Sequence, residues 1–211
     1  LPRELSGIKL LNVAVIGTGY VGLVVGSCFA ESGNEVICVD TDTKKIRELA
    51  TGKIPIFEPG LEEIVDRNLS EGRLKFSADL DSAVKTSSIL FIAVGTPQVG
   101  GEADVSALKT VAEDIGKYMN GFKVIVVKST VPVGMTDKIR DIVRAETDQS
   151  FDVIFNPEFL KQGCAIDDFM RPDRVIIGAD SDQSLDIIQE LYAPFVRTEN
   201  PVLVMDVRSA E

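Results

Sequence analysis

Short β-branched runs alternate along this chain with longer stretches in which apolar residues recur at helical spacing. The runs are NVAVI (Asn12 to Ile16), EVICV (Glu35 to Val39), RLKF (Arg73 to Phe76), ILFIAV (Ile89 to Val94), KVIVV (Lys123 to Val127), DVIF (Asp152 to Phe155), RVIIG (Arg174 to Gly178) and VLVM (Val202 to Met205). Between them, Tyr20 to Ser32, Thr43 to Thr51, Leu61 to Ser70, Val105 to Met119, Thr136 to Arg144 and Gln183 to Tyr192 read as helices. Most of the runs are continuously apolar, as strands covered by helices on both faces must be. Strand and helix in alternation predict βαβ units. The expected fold is therefore α/β: a Rossmann-like, doubly wound, mostly parallel sheet of about eight strands flanked by helices. The segment Ile54 to Leu61, IPIFEPGL, holds two prolines and a glycine, so it joins two helices as a loop. The polar start, Leu1 to Gly7, reads as an appended or processed end. Residues 1–11 are accordingly set apart from a domain over 12–208, and Ser209-Ala210-Glu211 reads as the start of a helix cut short.

Composition narrows the partners. With 211 residues, 45% of them hydrophobic, the chain can bury a substantial core. A net charge of −11 argues against nucleic acid or an anionic membrane, both of which would repel it at long range. No apolar run is long enough to span a bilayer. Cys28, Cys38 and Cys164 stand at spacings that suit neither a zinc site nor a redox pair, and histidine is absent, so no metal is expected. An odd cysteine count without a secretory signal suggests a cytoplasmic setting.

The sharpest chemical signal follows the first strand. Gly17-Thr18-Gly19-Tyr20-Val21-Gly22 stands between that strand and an apolar helix, the context this fingerprint requires. Gly17 permits the turn, Gly19 lets a pyrophosphate approach backbone amides, and Gly22 lets the helix pack on the sheet. The phosphates then meet the positive end of the helix dipole. Asp40, at the end of the second strand, stands where a ribose-binding acid is expected. Its charge favours NAD over NADP, although Lys44 and Lys45 just beyond weaken that preference. Lys45 reads equally well as a cofactor contact or as a solvated lysine. The plain alternative is that the glycines only make a turn.

Three later segments stand past strand ends, on the edge where open α/β sheets bind ligands. Val94-Gly95-Thr96-Pro97 would shape a loop near the nicotinamide half. Lys128-Ser129-Thr130-Val131-Pro132-Val133-Gly134 offers two hydroxyls and then a proline-started helix. Asn156-Pro157-Glu158-Phe159-Leu160-Lys161-Gln162-Gly163 is the third. Singly, Ser129 and Thr130 could cap a helix and Asn156-Pro157 could turn the chain. Together on one edge they favour a site.

GTGYVGL, IFEPGL, VGTP, KSTVPVG, NPEFL and PDRVIIG occur in an order that resembles the UDP-glucose/GDP-mannose dehydrogenase family, with Pro172-Asp173-Arg174 closest to its UDP-glucose 6-dehydrogenase branch. The resemblance covers Asn12 to Glu211. It implies an NAD-dependent, four-electron oxidation of a sugar C6 alcohol to a carboxylate, two NAD being reduced. A cysteine captures the intermediate aldehyde, which divides one hard step into easier ones. Glu158 matches the family's acid/base glutamate and Thr130 the hydroxyl that holds a water beside it; a raised Glu158 pKa would suit that role. Glu158, Phe159, Leu160, Lys161 and Gln162 match the segment along the sugar and the nicotinamide. Gln162 replaces a glutamate found in many members, so it can hydrogen-bond but not titrate. The family's catalytic lysine, asparagine and cysteine belong to later segments, and Cys164 matches none of them; it is expected to be a small packed residue. These implications lead to a chain that binds NAD and part of a sugar without completing the oxidation, and to a homodimer for the longer protein. GDP-mannose or UDP-N-acetylmannosamine as substrate, and a non-catalytic NAD-binding regulatory module, remain alternatives.

Overall fold

A computed structural model describes residues 11–196 and 201–211; the polar start Leu1 to Gly7 lies outside them. The chain runs β1 (Asn12–Ile16), α1 (Tyr20–Glu31), β2 (Glu35–Val39), α2 (Thr43–Leu49), α3 (Leu61–Ser70), β3 (Leu74–Ser77), α4 (Leu80–Thr86) and β4 (Ile89–Ile92). It continues through the hairpin β5 (Gln98–Val99) and β6 (Glu102–Ala103), then α5 (Ser106–Tyr118), β7 (Lys123–Val127), α6 (Met135–Glu146), β8 (Phe151–Phe155), α7 (Ala165–Met170), β9 (Val175–Gly178), α8 (Asp182–Tyr192), β10 (Val202–Met205) and α9 (Val207–Ala210).

All eight expected strands enter one sheet, in the order β10-β9-β8-β7-β4-β1-β2-β3. From β3 to β8 every pairing is parallel. β9 runs antiparallel to β8, and β10 is parallel to β9. Only Phe155 and Gly178 pair across the reversal. Both residues end their strands, so the rest of β9 extends past the carboxyl end of β8. The sheet is therefore stepped at this point.

The alternation of side chains along β1 shows how the layers form. Val13 and Val15 pack with Leu23, Phe29, Phe169 and Tyr192 on one face. Ala14 and Ile16 pack with Val84, Leu108, Ile139 and Val207 on the other. Helices α1, α3, α7 and α8 thus cover the first face, and α4, α5, α6 and α9 the second. Gly178 lets α9 sit directly on β9: a Cβ there would lie 2.6 Å from Ala210 Cβ and 2.9 Å from Val207 Cα.

Local chemistry departs from expectation in a few places. The strand expected over Ile89 to Val94 stops at Ile92, which releases Val94 into the loop above the sheet. The helix after Pro132 is not proline-started: it begins at Met135, behind Gly134, whose φ of 85° is a left-handed conformation. α4 and α7, with seven and six residues, are too short to show a helical period. α4 nevertheless carries a capping signature, Asp79 accepting from the Ser82 N–H. The final helix begins at Val207, two residues before Ser209, capped by Asp206.

Candidate functional site

β1 ends in the glycine bend. Gly17 has a φ of 101°, and a Cβ there would lie 2.7 Å from the Ala93 carbonyl oxygen. A Cβ on Gly22 would overlap the Gly17 carbonyl, so its absence is what lets α1 leave the strand at this angle. Gly19 is different. It is the N-cap of α1 in ordinary extended backbone (φ −71°), and a Cβ there would meet nothing within 4 Å. No side chain caps the helix. The first turn of α1 therefore offers bare amides and its positive dipole to open space, which suits an anion.

Thr18 is buried and ties this bend to β2: its N–H and Oγ1 donate to Asp40 Oδ2 at 2.9 and 2.7 Å. Lys45 Nζ reaches the same oxygen at 2.5 Å, while Oδ1 accepts from the Asp42 N–H. Burial pushes the Asp40 carboxyl up, but the bonds from Asp42, Lys45 and Thr18 outweigh it and hold the pKa at about 2. Asp42 in turn caps α2 through the Lys44 and Lys45 amides, which aims Lys45 back at Asp40.

A cleft of about 540 Å³ opens over Gly17, Gly19, Asp40 and Lys45, walled by Val94 and Gly95. Ser106, Thr110 and Asp114 of α5 also line it, and nothing in the sequence had marked them; they belong to the polar face of an ordinary amphipathic helix. A second hollow, about 230 Å³, shares Gly19, Val94 and Gly95 with the first and adds Tyr20, Val21, Thr96, Lys128, Ser129, Thr130 and Glu158. A third, about 440 Å³, runs from Glu158, Phe159, Leu160 and Lys161 to Arg171 and Arg174. Shared walls make one trough, with Asp40 at one end and Arg174 at the other.

The strand-end loops are tied to one another. Ser129 Oγ donates to the Val94 carbonyl (2.6 Å) and Thr96 Oγ1 to the Thr130 carbonyl (2.8 Å), so Ser129 and Thr130 join loops and do not cap α6. The Asn156 side chain is fixed from three sides: Lys128 Nζ (3.1 Å) and Tyr192 OH (2.7 Å) donate to its Oδ1, and its Nδ2 donates to the Ile176 carbonyl. Burial pushes the Lys128 ammonium down to about 8, against the opposing pull of nearby Glu158. Lys128 stood in the KSTVPVG motif without a role; a lysine closing an apolar strand was the available signal. Glu158 Oε2 accepts from the Leu160 N–H at 2.9 Å. Arg174 lies over the Phe159 ring, 4.9 Å from its centre.

Three expected residues are placed elsewhere. Pro97 and Gln162 are exposed and line neither of the first two hollows. Cys164, expected to be packed, is exposed as the N-cap of α7, because the glycine turn before it lifts the chain off the core.

Comparison with known proteins accounts for this architecture. Residues 11–196 match the model of the UDP-glucose/GDP-mannose dehydrogenase family, NAD binding domain. The chain is 50% identical to the UDP-glucose 6-dehydrogenase TuaD of Bacillus subtilis and 46% identical to a UDP-glucose 6-dehydrogenase of Rhizobium meliloti, covering 95% of itself in each case. It spans 43% and 47% of those relatives, about half their length. Among solved structures, a UDP-glucose dehydrogenase from Pyrobaculum islandicum superposes with a TM-score of 0.93 at 36% identity, over 99% of this chain and 49% of that one. A GDP-mannose dehydrogenase from Pseudomonas aeruginosa gives 0.90 at 33% identity, over 95% and 47%. The chain belongs to the UDP-glucose/GDP-mannose dehydrogenase family, of which it is the NAD-binding domain.

Proposed function

We propose that this chain is the cofactor-binding portion of an NAD-dependent UDP-glucose 6-dehydrogenase, which oxidises the sugar C6 alcohol to a carboxylate while two NAD are reduced. The observation that carries this reading is the continuous trough from Asp40, past the open backbone at Gly19, to Glu158. Residues 12–208 form the domain, and Cys164 is not the family's nucleophile.

The residues present fit the dinucleotide. The amides of Gly19, Tyr20, Val21 and Gly22 would hold its pyrophosphate, with Gly17 and Thr18 shaping the bend; Asp40 and Lys45 would hold the adenosine ribose. Val94, Gly95, Thr96, Ser129 and Thr130 surround the nicotinamide half, with Pro97 and Gln162 at its margin. When bound, NAD supplies the hydride acceptor. Glu158 stands with Thr130 around one hollow, so a water held by the threonine hydroxyl can pass a proton to the carboxylate. Phe159, Leu160 and Lys161 would lie along the sugar, in a hollow where Arg174 is stacked on the Phe159 ring.

The free thiols of Cys28, Cys38 and Cys164 fit a reducing, cytoplasmic setting. No helix among the described residues is long and apolar enough to cross a membrane. In the longer protein we expect a homodimer, and neither nucleic acid nor a membrane among its partners. Calorimetric titration of the chain with NAD and NADP tests the cofactor assignment: NAD should bind more tightly, and equal affinity would overturn it. Competition among UDP-glucose, GDP-mannose and UDP-N-acetylmannosamine for the full-length enzyme tests the sugar.

A further inference from the structure

The IFEPGL loop takes no part in the trough, yet it carries a carboxylate that is only 5% exposed, that of Glu58. Burying a carboxylate is costly unless donors surround it. Here Oε2 accepts from Tyr20 OH at 2.5 Å and from the Gly163 N–H at 2.8 Å, and Oε1 accepts from the Ala165 N–H at 2.8 Å. The Tyr20 hydroxyl also lies 3.3 Å from the Lys161 carbonyl oxygen. Those bonds outweigh burial and keep the acid below its usual range.

What matters is what the carboxylate connects. Tyr20 occupies the first turn of α1, where the glycine bend presents its amides. Gly163 and Ala165 end the segment that begins at Glu158 and enters α7. The two pieces are 143 residues apart in sequence, and one oxygen atom accepts from both. A fold needing only to fasten the loop could do so through apolar contacts. A shared acceptor does more: a shift of either donor changes the bond available to the other.

We propose that Glu58 is a positioning residue that couples the dinucleotide turn to the substrate-facing segment, so that cofactor bound at the first turn of α1 sets the Glu158–Gln162 strip through Tyr20 OH, Glu58 and the Gly163 amide. The inference rests on the reading of the glycine bend as the NAD site. By linkage the coupling is reciprocal: a nucleotide sugar ordering the strip tightens NAD.

The test is amide hydrogen exchange, followed by NMR at Gly163 and Ala165 in the whole chain, with and without saturating NAD, beside calorimetry on the same samples. Glu58→Ala could fail to fold, so the variant is Tyr20→Phe, which removes one partly exposed hydroxyl and leaves the Glu58 amide bonds in place. In the wild type, NAD should slow exchange at both amides by about tenfold. In Tyr20→Phe, which keeps the backbone amide, the ratio of exchange rates with and without NAD should fall to about one, whatever the rate without NAD. A role confined to holding the loop would show no NAD response, and that result overturns the proposal; so does an equal response in Tyr20→Phe. Loss of NAD binding by Tyr20→Phe also overturns it, since the hydroxyl would then be a direct cofactor contact. Failure of the wild type to bind NAD is a separate result that removes the proposed function and this coupling together.

Discussion

Lys45 places its ammonium 2.5 Å from Asp40 Oδ2, the same oxygen that receives the Thr18 amide and hydroxyl. The acid assigned to the adenosine ribose is therefore already engaged, and an incoming 2′-hydroxyl has to share a crowded acceptor or displace the lysine. Lys45 also softens the repulsion a 2′-phosphate would feel. Lys45→Ala should thus widen the preference for NAD over NADP by about tenfold. Asp40→Ala should weaken NAD by about ten- to hundredfold and also lower Tm, because it frees the Thr18 anchor. Calorimetry with both dinucleotides and a thermal melt check this; an unchanged NAD/NADP ratio in Lys45→Ala counts against the assignment.

The two glycines flanking the first turn of α1 should fail in opposite ways. Gly19→Ala puts a methyl where no protein atom lies within 4 Å, in backbone any residue adopts, so Tm should be nearly unchanged. NAD affinity should nevertheless fall by tenfold or more, roughly 1.4 kcal/mol, because the methyl occupies the ground the pyrophosphate needs. Gly22→Ala drives a methyl into the Gly17 carbonyl and should lower Tm outright. Equal NAD affinity in folded Gly19→Ala would falsify the placement of the phosphates.

Lys128 should shape stability on the basic side. Its pKa is 10.5 in an exposed chain and about 8 when folded. Between those values the unfolded state binds more protons, so stability rises as pH increases from about 8 to about 10.5. Below about 8 the buried ammonium is charged in both states and its desolvation is a constant cost. Denaturant melts of wild type and Lys128→Met across that window should show the difference between them changing with pH; parallel curves would mean the lysine is not desolvated.

Asp40 acts with the opposite sense. Its folded pKa of about 2 lies below the ordinary 3.8, so its contribution is fully present above 3.8 and is lost as pH falls toward 2. Wild type and Asp40→Asn should therefore converge in stability over that acid interval, as read by urea midpoints. A stability gap that persists unchanged to pH 2 contradicts the bonding described for Thr18 and Lys45.

Much of this architecture was written in hydrophobic periodicity. Runs such as KVIVV, buried at every position, have no solvated face, which is why they read plainly as interior strands. The fingerprint was legible because Gly17, Gly19, Gly22 and Asp40 each answer a local steric or charge requirement. Direction was not legible: nothing in RVIIG states that β9 reverses, because a strand buried on both faces carries the same apolar run either way up. Nor was Glu58, since its three donors come from segments far along the chain and only folding gathers them. Cys164 departs from expectation because a small residue reads as packed, whereas its position behind Gly163 turns it outward.

The single pairing of Phe155 with Gly178 has one more consequence. An evenly parallel sheet would end in a level rim, along which a long ligand could lie in either sense. Here β9 stands above that rim beside Asn156, whose amide is latched to Ile176, and makes a bulkhead at one end only. The reversal at β9 thus gives the groove unlike ends, a raised one beside Asn156 and a low one toward Asp40.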